Sequence, residues 1–126
     1  MTTFGDYEPL DARDTDQTIA PEWVARRLHE LLDGLDRMRG GRGLRKYDLL
    51  PYGEYVVAML VAERFVALVR YFRGLPDGIA EGLHEYQRDL GSGEPEWAAL
   101  PADVRELAIA LVRAVVSALE LEGHVW

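Results

Sequence analysis

Apolar residues recur at helical spacing in four segments of the chain, and these segments predict four helices. In the first, over residues 21–40, apolar side chains return every three or four positions and leave the charged residues on the opposite face. Proline is favoured at the first position of a helix, and the pair Gly40 and Gly41 ends the pattern. The stripe consists of Val24, Leu28, Leu31, Leu32, Leu35 and Met38.

The same spacing predicts three further helices, over residues 51–73, 77–90 and 101–122. The helix over residues 51–73 is apolar almost all the way round, which predicts that it is the central, buried helix. Glu63 on this helix is then expected to be paired with an arginine or to lie at an edge. No segment alternates as a strand would, and no repeat with a period of about 20–50 residues is evident.

Together these elements predict an all-α fold, a single antiparallel four-helix bundle-like domain over residues 20–126. Residues 1–19 carry five acidic residues and one arginine, and we predict that they form a mobile acidic N-terminal arm. Phe4, Tyr7 and Leu10 fall three residues apart, which favours the alternative of a short docked turn.

Composition argues against an enzyme. The 126 residues include no cysteine, which excludes a thiol nucleophile, a disulfide and a cysteine-ligated metal. Ser92 and Ser117 are the only serines, and neither lies in a nucleophile motif. Glu81 and His84 form a single Glu-x-x-His pair, without the second pair that a di-iron bundle requires. We therefore expect no catalytic residue, no metal and no cofactor. The alternative is a metal or acid–base enzyme centred on Glu63 or on Glu81 and His84.

Charge is unevenly distributed along the chain, whose net charge is −8. Residues 74–126 carry a net charge of −7, and an acidic surface of this kind usually serves only to keep a protein soluble. Residues 23–50 instead carry a net charge of +3. Arginine binds phosphate and carboxylate groups through paired hydrogen bonds, so the basic segment is a candidate contact for nucleic acid or for an acidic protein. The alternative is an ordinary solvated connection. The candidate contact residues are Arg37, Arg39, Arg42, Arg45, Lys46 and the following Tyr47.

These patterns favour a non-enzymatic helical protein-interaction module, such as an accessory subunit, an adaptor or an inhibitor-like partner. The expected partner is another protein or a second copy of the chain. The alternative is a nucleic-acid-contacting small subunit of a bacterial ribonucleoprotein or defence complex that uses residues 37–47. Trp126 is a candidate binding hot spot, unless it packs back onto the bundle.

The chain shows no sign of membrane targeting. Its first residues lack the basic and apolar regions of a signal peptide. The longest apolar stretch, residues 55–72, contains Glu63, Arg64 and Arg70, and charges in the middle of a membrane span are costly. We therefore expect a cytoplasmic protein. Of its 14 basic residues 13 are arginine, and none of its residues is asparagine. Because arginine codons are rich in G and C, this composition is typical of proteins encoded by GC-rich bacterial genomes.

Overall fold

The computed structural model describes residues 18–126, and this range contains four α-helices, two short 3-10 turns and no strand. The helices are α1 (Pro21–Met38), α2 (Tyr52–Tyr71), α3 (Pro76–Asp89) and α4 (Ala102–Leu121). The 3-10 turns, Tyr47–Leu49 and Trp97–Ala99, lie between α1 and α2 and between α3 and α4. The predicted all-α class is confirmed, and each helix boundary lies within two residues of its prediction.

Prolines set the helix starts. Pro21 and Pro76 occupy the first helical positions of α1 and α3, and Pro51 and Pro101 lie immediately before α2 and α4. The fixed backbone angle of proline suits these positions, and its missing N–H would have no partner in the first turn in any case. Gly74 follows α2 with φ of +78°, a left-handed conformation that glycine adopts without strain.

Consecutive helices pack closely against one another, and α4 returns to α1 through a smaller contact. The ring of Phe72 lies against Gly78, where an added Cβ atom would come within 2.6 Å of it, and Leu68 lies against Gly82 in the same way. The end of α2 therefore meets the start of α3, and these two helices run antiparallel. For the bundle as a whole, the antiparallel arrangement stays a prediction.

The core occupies one end of the helices. Besides Ile19, its buried residues come from the first half of α1, the first eight residues of α3, and the second half of α2 and α4. Those with no solvent exposure include Val24, Phe65, Val69, Ile79 and Val115.

The structure corrects two of the predictions. Ile19, which the sequence assigns to the acidic arm, is only 4% exposed and packs in the core. The rest of the predicted arm, up to residue 17, lies outside the described residues. The prediction that α2 is a central helix is wrong, since Glu63 and Val57 are exposed. In a ring of four helices each helix has two neighbours, so α2 keeps a face toward solvent, and Glu63 takes the edge position.

The two halves of the described chain correspond to each other. α2 and α4 begin 50 residues apart and have equal length, whereas α1 and α3 begin 55 residues apart. The difference of five arises because α1 is four residues longer than α3, and the connection after α1 is one residue longer than the connection after α3. This change of spacing hides the repeat from a search at a fixed period. Along α1, the residues Pro21, Glu22, Val24, Ala25, Leu28, His29 and Glu30 match Pro76, Asp77, Ile79, Ala80, Leu83, His84 and Glu85 of α3.

Within residues 18–126, no helix combines the length and the apolar content that crossing a membrane requires.

Candidate functional site

An open cleft of about 490 Å³ lies between the four helices, beyond the core. Its walls are mainly apolar, and corresponding positions of the two halves contribute to them, such as Ala58 and Ala108, or Val61 and Leu111. A volume of about 300–1,000 Å³ with mostly apolar walls is typical of binding pockets. This cleft is not evident from the apolar spacing along the chain, although the alanines of α2 and α4 leave the space that larger side chains would fill.

Apolar side chains remain exposed at the mouth of the cleft. Leu32 of α1 is 46% exposed, Val57 of α2 is 49% exposed, and Leu44 in the connection between them is 39% exposed. Single exposed apolar residues are ordinary, but a group of them around one opening is typical of a surface that binds another molecule.

One side of the mouth is formed by the connection between α1 and α2, which we call the basic lip (residues 39–46). Carboxylates of α1 hold its backbone in place. The N–H of Leu44 donates to Asp33 Oδ1 at 2.6 Å, and the N–H of Gly43 donates to Asp36 Oδ2 at 2.9 Å. The first of these bonds is the main reason that the pKa of Asp33 is lowered. The amide groups that a glycine-rich loop offers to a phosphate are thus already occupied at these two positions.

The cations of the predicted contact segment divide into two groups. Arg37 forms an ion pair with Asp33, with 3.1 Å between Nε and Oδ2. The other four cations are exposed, and none of them makes a hydrogen bond or ion pair through its side chain within residues 18–126. These four residues are Arg39, Arg42, Arg45 and Lys46, all of the basic lip.

Tyr47 is built into the fold. Its hydroxyl group donates to Met59 Sδ at 3.7 Å, and the guanidinium group of Arg26 lies 4.6 Å from the centre of its ring. His29 and Tyr55 meet the ring edge to face, and partial burial raises the pKa of the hydroxyl group. Tyr47 therefore anchors the connection to the helices and does not present a free ring on which a base could stack.

The connection between α3 and α4, which we call the acidic lip (residues 89–96), follows the end of α3 that lies away from the core. Its own residues do not line the cleft, but Gln87, two residues before it, does. Asp89, Glu94 and Glu96 are exposed, and their carboxylates make no hydrogen bond or ion pair within the described part of the chain. Glu85 holds this connection, accepting from the N–H of Trp97 at 2.9 Å and from Arg88 at 2.6 Å. The pKa of Glu85 is lowered, mainly by the bond from Trp97.

The two lips are attached to the bundle in the same way. His29 Nε2 donates to the carbonyl oxygen of Arg45, and His84 Nε2 donates to that of Pro95 at 2.7 Å. Each histidine ring also packs against the aromatic residue that opens the following 3-10 turn, Tyr47 at 5.9 Å or Trp97 at 5.7 Å between ring centres. The lips are therefore corresponding elements of the two halves, but they carry opposite charge.

The remaining candidates lie away from the open mouth or lack further ligands. The indole N–H of Trp126 donates to Glu120 Oε2 at 2.9 Å, and its ring stacks on His124 and lies against Gly74. This is the packed-back arrangement, and a role as a hot spot stays a prediction. Glu81 is exposed, and residues 18–126 contain no group of three or more side chains that could together hold a metal ion.

No protein-family model, curated protein or solved structure matches this chain. The cleft and its two lips are therefore the features from which a function can be inferred.

Proposed function

We propose that the protein is a non-enzymatic helical protein-interaction module of the cytoplasm, an accessory subunit, adaptor or inhibitor-like partner. The cleft and its lips form its docking face. The observation that carries this proposal is an apolar cleft that opens to solvent beside the basic lip, with the acidic lip following the α3 residue Gln87 that lines it.

The chemistry of the face defines the partner that fits it. Apolar side chains of the partner gain about 25 cal/mol for each Å² of apolar surface removed from water against Leu32, Leu44 and Val57. An amphipathic helix offers such side chains every three or four residues. Its flanks would carry acidic groups toward the basic lip and basic groups toward the acidic lip, and this complementarity fixes orientation and speeds encounter.

The two histidines that line the cleft support binding over catalysis. The Nε2 atoms of His29 and His84 are both engaged by backbone carbonyl oxygens. General acid–base catalysis needs a side chain within hydrogen-bond reach of the reacting group, and these two nitrogens are committed to holding the lips.

Site-specific photo-crosslinking in the native host tests the proposal. A photoreactive phenylalanine derivative replaces Val57 at the mouth or, as a control, Leu121, which is 90% exposed at the far end of α4. We expect a protein adduct from position 57 that position 121 does not give. The captured protein, remade in pure form, should bind Val57→Glu at least about tenfold more weakly than the native chain, a difference of about 1.4 kcal/mol. Equal labelling from both positions would contradict the proposal.

A second candidate function is contact with nucleic acid, which the four unpaired cations of the basic lip favour. Four phosphate contacts predict that the logarithm of the binding constant falls with the logarithm of salt concentration with a slope of about −3.6. Replacing Arg42 and Arg45 by alanine should bring this slope to about −1.8. Binding that the double variant leaves unchanged would exclude this candidate.

A further inference from the structure

Building on the proposed function, we infer that the partner of the docking face is a second copy of the same chain, bound mouth to mouth. The basic lip carries four unpaired cations and the acidic lip three unpaired anions, all within the described residues. Arg45 of the basic lip lines the cleft, and so does Gln87, two residues before the acidic lip, so the two lips lie at the same end of the helices. A single copy therefore presents a basic lip and an acidic lip on the same face, and each of them could bind the oppositely charged lip of a second copy.

A two-fold axis makes this arrangement complementary to itself. In a two-fold dimer the same patch is used on both copies, so that each contact occurs twice. When the axis crosses the mouth at right angles to the line between the lips, the basic lip of each copy meets the acidic lip of the other. An axis along that line would instead place like charges against each other. Charge thus selects one dimer geometry.

The apolar part of the mouth fits the same arrangement. Leu32, Leu44 and Val57 lie at the cleft, and Leu90 of the acidic lip is 42% exposed. In a mouth-to-mouth dimer this apolar surface faces its own copy, and the charged lips enclose it on two sides. A foreign partner would have to supply both an apolar centre and two flanks of opposite charge in the same order, which a second copy does by construction.

The mass of the native full chain in solution gives the first test, by light scattering after size exclusion and by sedimentation velocity. We expect a dimer. Its dissociation constant should increase when the NaCl concentration is raised from about 0.1 M to about 1 M, because the screening length then falls from about 10 Å to about 3 Å. Val57→Glu should raise the dissociation constant at least about tenfold. The matched control Leu121→Glu adds the same charge at the far end of α4 and should leave it unchanged.

Charge reversal gives the second and sharper test. Changing Arg39, Arg42 and Arg45 together to glutamate turns the net charge of the basic lip from +4 to −2. Glu94→Lys with Glu96→Lys turns that of the acidic lip from −3 to +1. Each variant alone should be monomeric, because every lip then meets a lip of like charge. An equimolar mixture should form a heterodimer, because both of its lip contacts join opposite charges. Restoration by mixing also shows that neither variant is misfolded.

Three results would overturn the inference: a native chain that stays monomeric at every concentration, a dimer that charge reversal leaves intact, or a mixture that stays monomeric. Crosslinking from Val57 then decides the proposed function separately. If a different protein is captured at position 57, the result supports the docking face but contradicts the dimer. If no specific adduct forms, the result contradicts both the docking face and the dimer.

Discussion

Filling the cleft should stabilise the protein, because its walls leave space for a larger side chain. Ala58 of α2 lines the cleft and is half-buried. Ala58→Leu adds three carbon atoms, and a buried CH₂ group contributes about 0.8 kcal/mol, so full burial would contribute about 2.4 kcal/mol. Since the cleft is open on one side, we expect about half of this, an increase of about 1 kcal/mol in the free energy of unfolding. The corresponding rise in Tm is about 4 °C.

The same substitution one turn further along α2 provides the control. Ala62 is fully buried in the core, where an added side chain must displace its neighbours. Ala62→Leu should therefore lower the free energy of unfolding by about 1–3 kcal/mol. Both variants make the same change within one helix, so differences in helix propensity cancel. Urea denaturation followed by far-UV circular dichroism measures both values. If Ala58→Leu destabilises the protein as much as Ala62→Leu does, the cleft is not open space, and the proposal that it forms a docking face is contradicted.

Two further predictions concern the lips and the core. The pKa values of Asp33 and Glu85 are lowered because each carboxylate accepts a hydrogen bond from a backbone N–H. These hydrogen bonds are therefore present at a pH above the ordinary carboxyl pKa of about 4, and they are lost as the pH falls through the lowered pKa values. In NMR titrations the amide protons of Leu44 and Trp97 should therefore shift with midpoints below the ordinary pKa of the carboxyl group that each contacts, about 3.9 for aspartate and about 4.3 for glutamate, and midpoints above these values would contradict the assigned bonds. Phe65→Ala should lower the free energy of unfolding by about 3–5 kcal/mol in urea denaturation, because Phe65 is fully buried, and a loss below about 1 kcal/mol would contradict a close-packed core.

The helices could be predicted from the sequence because their apolar spacing and their flanking prolines are local signals. Which part of each stripe is covered is not local. The stripe of α1 runs from Val24 to Met38, yet Val24 is buried and Met38 is 84% exposed. That difference depends on what α2 and α4 bring opposite each position. The open end arises where Ala58 and Ala108 lie in facing walls, and no single segment contains both.

The candidate site was predicted in part. The basic segment is evident from composition, but only the structure separates Arg37, paired with Asp33, from the cations that have no partner within residues 18–126. The acidic residues near Glu94 are, by sequence alone, an ordinary solvated surface. Their significance comes from following Gln87, which lines the same cleft as Arg45, a relation between distant parts of the chain.

The two corresponding halves are joined by the four residues between α2 and α3, and this short tether has a consequence for assembly. Covalent linkage through a short connection holds two binding units at a millimolar effective concentration, whatever the amount of protein present. Closure of the bundle is thus insensitive to dilution, whereas docking of a second chain follows mass action. A cell that changes the abundance of this protein would alter how many copies are paired without unfolding any of them.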